Sequence, residues 1–535
     1  MNETRRSFAT IAAFSLLLLA LSALRPLALP DEGRYAEMGR WMLVSGDWFT
    51  PRLNGIPFFH KPPLQYWLEA VSMSVFGVHA WSARLVVALH AVLMLCCTYY
   101  LAGRVASEKI ARNAVCMLGS SLAFLMGGQY VNHDMMVATW IAIALTAFGL
   151  AFAHADKPHV NLARIGFAAC ALGVLAKGLI GLALPGLVLL VWLVLTRQMR
   201  KVLYLPWISG LLIFCAIALP WFIASQMQFG EMLQYMFGKH HFGRYTGKTF
   251  NNARPFWFYG VALGILFFPW LFFAFLEGFK ALKHMKYAQV ATKIIAISRA
   301  NPLSALLWLW PLVIVGFFSI PNSKLIGYVL PVMPALAVLA ALGWQRSLAQ
   351  HAWTNAGFAA VCAVSMAIGV GANLIAANYT QKRSTQDIAQ QFACAAQASD
   401  TVYAVGEYPY DFPFYAQTSR PMVVVQDWPT LRQTAGDNWR RELFEGAHFD
   451  AQAAKVLQTP EVLPVAAGQS GNWLIAPKSI AIGALFTAQW RLFYTGNAWN
   501  LYQSRVDAPV ASDLASASAK SPVATQKPGL PGCKN

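Results

Sequence analysis

Charge is what this chain has least of. Only 12% of its 535 residues are Asp, Glu, Lys or Arg, whereas a soluble globular chain carries roughly 25%. Acids are scarcer still, 23 against 41 basic residues. With 57% hydrophobic residues and a mean hydropathy of +0.46, an ordinary soluble domain is excluded and a polytopic membrane protein remains. The eight cysteines contain no CxxC spacing, so neither a zinc knuckle nor a disulfide scaffold is supported. Cys96, Cys97, Cys116, Cys170, Cys215 and Cys362 lie in or beside apolar runs, where cysteine serves as a small hydrophobe. No Walker sequence, dinucleotide fingerprint or internal repeat occurs. The net charge of +18 would suggest nucleic acid in a soluble protein. Here it is orientation signal, with a remainder suited to anionic lipid phosphates, and no nucleic-acid partner is expected.

What the chain has in abundance is apolar runs. A helix needs about 20 such residues to cross a bilayer. Runs start near Phe8, Trp81, Asn113, Met135, Ile165, Leu179, Val202, Phe256, Leu303, Leu325 and Asn355, which predicts about eleven to thirteen spans. The first follows Arg5 and Arg6 and ends in Arg25-Pro26 instead of a small-x-small motif, so it is expected to stay uncleaved. Ile165–Ala176 and Leu179–Leu195 are separated only by Lys177-Gly178, the pattern of a tight helical hairpin. Basic residues gather in alternate loops, which are cytoplasmic by the positive-inside rule. That leaves Asp31–Pro63, His133-Asp134, Lys177, Gln226–Arg254 and Asn322–Lys324 together on the external side. The expected domains are a membrane domain over 1–376, whose external loop 25–80 carries two interfacial amphipathic helices, a small extracytoplasmic α/β domain over 377–506, and a disordered Ala/Ser/Pro/Lys-rich tail over 507–535. The amphipathic patterns cover Glu32–Leu43 and Pro63–Val78. In the α/β domain, strands are expected at Val402–Val405, Met422–Val425, Trp473–Ile475, Leu492–Tyr494 and Trp499–Tyr502, and helices at Thr385–Ala396 and Asp450–Leu457.

The external clusters hold the residues that could carry chemistry. Asp31 and Glu32 open an amphipathic segment, where an acid is ordinary helix punctuation and equally a rigidly mounted general base. His133-Asp134 offers a second acid at the tip of a short loop. Two convergent carboxylates suit glycosyl transfer, in which an acceptor oxygen loses a proton as an oxocarbenium-like centre forms. Lys61, Lys177, Arg244 and Lys324 would each alone be snorkelling side chains. Together on one face they suggest a phosphate clamp, to which Tyr328 could add a hydroxyl. His60, His240 and His241 are the candidate metal set, with zinc the natural ion, although adjacent histidines on a helix point apart.

In order, the blocks are Asp31-Glu32-x-Arg34-Tyr35, Ser45-Gly46-Asp47-Trp48, Phe59-His60-Lys61-Pro62-Pro63 with Tyr66-Trp67, the loop at Asp134, Lys177-Gly178-Leu179-Ile180-Gly181, His240-His241-Phe242-x-Arg244-Tyr245, and Ser323-Lys324-Leu325-x-x-Tyr328-x-Leu330-Pro331. This series resembles the bacterial lipid A 4-amino-4-deoxy-L-arabinose transferases, GT-C glycosyltransferases related to the protein O-mannosyltransferases. The resemblance covers roughly Asp31–Ala340. It implies a GT-C fold in a bacterial inner membrane, with N-terminus cytoplasmic and active site external. It also implies a donor sugar carried on undecaprenyl phosphate and an acceptor that is lipid A or another periplasmic glycan, lipid or protein. Carried over by position, Asp31 is the main catalytic carboxylate, Asp134 its partner, and Arg34 an orienter of nearby acids. Lys61, Arg244 and Tyr328 hold the donor phosphate, and Lys177 faces the acceptor. The family carries Glu, a metal ligand, where this chain has His60; imidazole also binds zinc. A lipid-linked sugar flippase is the rival of another class. It calls for midplane charges and repeat-related halves, and neither is seen here.

Overall fold

The computed structural model describes residues 3–154, 156–242, 252–282, 290–348, 354–436, 439–480 and 489–505. The chain forms two compact units, Met1–Leu24 with Phe59–Ala376, and Arg25–Phe58 with the chain from Ala377 onward. In chain order the first helices are α1 (Glu3–Ser22), α2 (Asp31–Ser45), α3 (Leu64–Phe76), α4 (Ala80–Val105), α5 (Glu108–Gly119), α6 (Leu122–Gly127), α7 (His133–Phe152), α8 (Val160–Lys177), α9 (Ile180–Leu195) and α10 (Trp207–Gln228). There follow α11 (Phe258–Leu266), α12 (Trp270–Leu282), α13 (Val290–Ala300), α14 (Pro302–Ser319), α15 (Met333–Leu348), α16 (Thr354–Gln381) and α17 (Gln386–Ala395).

The first unit is helical throughout. Among the described residues, eight helical segments are long and apolar enough to span a membrane, and a ninth span exists if the bent pair α11–α12 is counted as one. This is fewer than the eleven apolar runs, for identifiable reasons. The run at Asn113 breaks at Ser120-Ser121, where the Ser121 side chain accepts from Phe124 N and starts a new short helix. The run at Leu179 yields only the shorter helix α9. The run at Val202 does give a span, but it first coils as a 3₁₀ turn, Met199–Tyr204, and turns α-helical only after Pro206. The run at Phe256 bends by 117° between α11 and α12, beside Pro269, which has no N–H to continue the ladder.

The expected hairpin at Lys177-Gly178 is present. Gly178 turns the chain with φ +94°, a conformation that favours glycine. A Cβ on Gly181 would lie 2.2 Å from the backbone of Gly173, so α8 and α9 touch main chain to main chain. The six cysteines of this unit are free, as small apolar residues.

The second unit is built on a six-stranded sheet of β3 (Thr401–Val405), β4 (Val423–Val425), β5 (Leu457–Gln458), β6 (Asn472–Pro477), β7 (Trp490–Thr495) and β8 (Trp499–Ser504), in the order β5-β4-β3-β6-β8-β7. The first four positions pair in parallel and the last two are antiparallel. All five expected strands occur; of the helix expected over Asp450–Leu457 only a 3₁₀ turn, Ala453–Val456, forms, and it leads directly into β5. The tail 507–535 lies outside the described residues.

Arg25–Phe58, expected as part of the membrane domain's external loop, packs into this second unit. Its short hairpin, β1 (Arg52–Leu53) and β2 (Ile56–Pro57), turns on Asn54-Gly55 with both φ positive, the Asn-Gly preference of a tight hairpin. Asn54 then exchanges two 2.8 Å hydrogen bonds with the backbone of Met422, and Arg52 pairs with Asp450 at 2.9 Å. Helix α2 is buried along nearly its whole length, from Glu32 to Met42. It is therefore not the amphipathic interfacial helix that its pattern predicts, because the C-terminal chain covers the face that would otherwise meet water. By contrast α3 buries Gln65 and Glu69 and exposes Val71, Val75 and Phe76, an arrangement suited to lying against lipid. Opposite α2's start, Asp411 accepts hydrogen bonds from the Ser384 hydroxyl and from the backbone and hydroxyl of Thr385 at 2.7–3.0 Å. Burial still pushes its pKa up to about 6.

The glycine contact makes a direct prediction. Gly181→Ala is expected to destabilise the protein by about 1–3 kcal/mol, since backbone cannot yield to the added methyl. Gly186→Ala, which has nothing within 4 Å of its Cβ position, is expected to leave stability unchanged. Thermal melts of the two variants in detergent compare them.

Candidate functional site

In the membrane unit Asp134 and Lys177 sit at helix ends. Asp134 lies in the first turn of α7, where Asn132 is the N-cap. Neither His133 nor Asp134 is the cap itself. Asn132 accepts from the Asp134 amide at 2.9 Å and donates to Asp134 Oδ2 at 3.1 Å. Lys177 is the last residue of α8, and its ammonium forms an ion pair with Asp134 Oδ1. Each charge thus occupies the helix end that its sign favours. Both side chains are about nine-tenths buried. The ammonium also lies 4.8 Å from the ring centre of Tyr328, a cation–π distance. Tyr328 comes from a 3₁₀ helix, Ile326–Val332, and packs on Phe318 with centroids 4.6 Å apart. The neighbouring Gly327 has no room for a side chain: its Cβ would fall 2.1 Å from Asp134 Oδ2. Tyr259 on α11 is fully buried, within electrostatic reach of Tyr328 and Asp134.

The other basic candidates separate. Lys324 is buried and donates to the Arg254 carbonyl at 3.0 Å and to the Pro321 carbonyl. Together with the Ala253–Ser323 bridge it clasps two loops; burial lowers its pKa. Lys61 is half-buried between His60 and Pro62-Pro63. His60 Nε2 meets the Tyr235 hydroxyl at 2.7 Å, and Phe59 packs on Phe229 and Trp221. His240 and His241 fall in the π-wound helix Gln234–Phe242, but their side chains, and all of Arg244, lie outside the described residues. Among the described residues no cluster of three or more His, Cys, Asp or Glu could hold a metal.

In the second unit, Asp31 and Glu32 have opposite fates. Both lie in the first turn of α2, where the helix dipole favours anions, and the residue at the N-cap is Pro30. Glu32 is fully buried. It accepts both guanidinium nitrogens of Arg25 and the Ala28 amide at 2.8 Å. Glu32, expected from the sequence as a catalytic carboxylate, is held here as a brace, buried and ion-paired to Arg25. The Asp31 side chain is 41% exposed and accepts from Arg34 Nη2 at 2.6 Å. Arg34 is itself held by Glu442 and by the Tyr35 hydroxyl at 3.0 Å. Deeper along α2, Arg40 forks onto Glu37 with two 2.6 Å bonds, and burial raises the Glu37 pKa against that pairing.

A family model described as dolichyl-phosphate-mannose-protein mannosyltransferase matches residues 4–236. An undecaprenyl phosphate-alpha-4-amino-4-deoxy-L-arabinose arabinosyl transferase from Shewanella sediminis is 33% identical over 64% of this chain and 61% of its own length. A protein of the same description from Pseudomonas savastanoi is 30% identical over 62% of this chain and 60% of its own. The chain's match thus spans about three-fifths of these relatives. In three dimensions, the crystal structure of ArnT from Cupriavidus metallidurans bound to undecaprenyl phosphate superposes with a TM-score of 0.77 over 95% of this chain and 100% of that one, at 24% identity. The chain has a GT-C fold and resembles the undecaprenyl-phosphate aminoarabinose transferases.

Within this fold, several residues went unseen in the sequence. Asn132 could have been found, since an Asn two residues before an acid at a helix start is a capping signal. Gly327, Tyr259, Tyr235, Arg25 and Glu442 carry no local signal; Glu442 meets a residue 408 positions away. The Lys177–Asp134 pair is testable by a double-mutant cycle. Lys177→Met leaves Asp134 buried and uncompensated and is expected to cost about 3–5 kcal/mol. Adding Asp134→Asn should recover part of that loss in thermal unfolding; additive losses would show that the pair contributes no coupling.

Proposed function

We propose that this protein is a glycosyltransferase that moves a sugar, in the first instance 4-amino-4-deoxy-L-arabinose, from undecaprenyl phosphate to lipid A in a bacterial inner membrane. On this reading the N-terminus is cytoplasmic and both the chemistry and the C-terminal domain are periplasmic. The observation that carries it is the Asp134–Lys177–Tyr328 cluster at the ends of membrane helices, in a chain whose relatives are named as undecaprenyl phosphate-alpha-4-amino-4-deoxy-L-arabinose arabinosyl transferases. A lipid-linked phosphate must sit at the membrane interface, where preorganised cations stabilise the charge that develops on it.

The proposed roles follow from the chemistry. Asp31, exposed and oriented by Arg34, takes the proton from the acceptor hydroxyl. The acceptor oxygen attacks the anomeric carbon, the bond from that carbon to the phosphate oxygen breaks, and the electron pair leaves on undecaprenyl phosphate. The leaving phosphate needs no proton, so one base suffices, and the transfer inverts the anomeric centre. Lys61, Arg244 and Tyr328 hold the donor phosphate. Lys177 pairs with Asp134 on the acceptor side, and Lys324 acts through the loop it clasps. Asp31→Asn and Lys61→Ala are each expected to abolish or nearly abolish transfer by folded protein in a reconstituted assay. Normal transfer by both would overturn the roles. Glu442→Ala, which releases Arg34, is expected to lower the rate by up to about 10²-fold through misplacement of Asp31. Mass spectrometry of lipid A and of envelope proteins from a deletion strain reads the acceptor: loss of an aminopentose from lipid A supports this function, and loss of a hexose from protein reassigns it to O-mannosylation.

A zinc ion on His60 with His240 or His241 is a separate proposal. Ligation through His60 Nε2 displaces the Tyr235 hydroxyl that now meets it. On this reading, stripping with a chelator lowers transfer, zinc restores it, and Tyr235→Phe tightens zinc binding; transfer indifferent to the chelator removes the metal.

A further inference from the structure

Five helices of the membrane unit come together at the end remote from Asp134. There α4, α7 and α9 finish at Val105, Phe152 and Leu195, while α8 and α14 begin at Val160 and Pro302. Helix α7 has 20 residues, so at 1.5 Å per residue this end lies about 30 Å from Asp134. It contains two adjoining hollows of about 460 and 470 Å³, each the size of a ligand site. Arg104, Ala153 and Leu303 belong to the walls of both.

The walls combine cations with hydrocarbon. Arg104, Lys201 and Arg299 line the first hollow, and His154 and His159 join Arg104 at the second; neither wall contains an acid. Lys201 is fixed in place, donating to the carbonyls of Phe152 at 3.0 Å and His154 at 2.7 Å at the end of α7. Asp156 is the acid within electrostatic reach of Lys201. Arg104 leans on Tyr100, with its guanidinium 5.1 Å from the ring centre, and Arg299 is exposed. Leu150 and Leu162 supply apolar wall. The adjoining 3₁₀ turn leaves Leu203 78% and Tyr204 54% exposed, as a segment at the lipid boundary would be.

A soluble phosphate compound would use the cations and leave the hydrocarbon wall without purpose; a lipid uses both. We propose that these hollows hold the phosphate of an anionic membrane phospholipid, with Arg104 and Arg299 on the phosphate and the Leu150–Leu303 wall against an acyl chain. Basic pockets between membrane helices are suited to such headgroups, each basic residue near the surface contributing about fivefold in affinity.

The test uses the full chain in nanodiscs of phosphatidylcholine containing a minor fraction of phosphatidylglycerol, followed by release and native mass spectrometry. Retention of phosphatidylglycerol in excess of its share is expected. Arg104→Ala and Arg299→Ala, both at exposed positions, should each lower that retention about fivefold and together about twentyfold, with thermal stability in detergent unchanged. Equal retention of the two lipids, or retention untouched in the double variant, overturns the proposal. So does displacement of the bound lipid by inorganic phosphate at low millimolar concentration, which would assign the site to a soluble phosphate.

Discussion

An ionised side chain in the apolar interior of a membrane protein must meet a counter-charge or a hydrogen-bonding group, because burying it alone costs several kcal/mol. The pair between Lys177 and Asp134 satisfies that constraint, and the surrounding architecture depends on it. The pair requires α8 to end where α7 begins. That requires α8 to double back into α9 through Gly178, with Gly173 and Gly181 in backbone contact. It also requires Gly327 beside the carboxylate, since any side chain there would collide with Asp134. Tyr328 then falls over the ammonium. One ion pair therefore positions residues from three separate helical segments.

The same constraint sorts the acids of the second unit. Glu32 and Glu37 are buried, and each is matched with an arginine, Arg25 and Arg40. Asp31 keeps a side chain that is 41% exposed and accepts a hydrogen bond from Arg34. Two neighbouring carboxylates thus divide into a brace and an accessible side chain according to how far each is removed from water. Arg34 connects the accessible one to Glu442, so the C-terminal domain takes part in setting the orientation of Asp31.

The membrane map was largely legible because it rests on local pattern: apolar runs, alternate basic loops, and prolines and serines that break helices. The sheet strands were legible for the same reason, from Val402 to Tyr502. What failed was local pattern with a hidden partner. Glu32–Leu43 has the periodicity of an interfacial helix, yet α2 is buried, with chain hundreds of residues later packed on it at Asp411, Thr418 and Glu442. Lys324 has the look of a phosphate ligand from its neighbours alone; in the structure it donates hydrogen bonds to the backbone carbonyls of Arg254 and Pro321.

By itself the sequence determined the class, the approximate spans, the hairpin at Lys177-Gly178 and the set of polar residues from which a site could be drawn, since hydropathy and charge placement act within a helix length. Only tertiary structure decided which of those residues are paired, buried or exposed. Lys177 meets Asp134 across 43 residues and Arg34 meets Glu442 across 408, and contacts at such separations follow from how helices and sheet pack, which no window of local sequence contains.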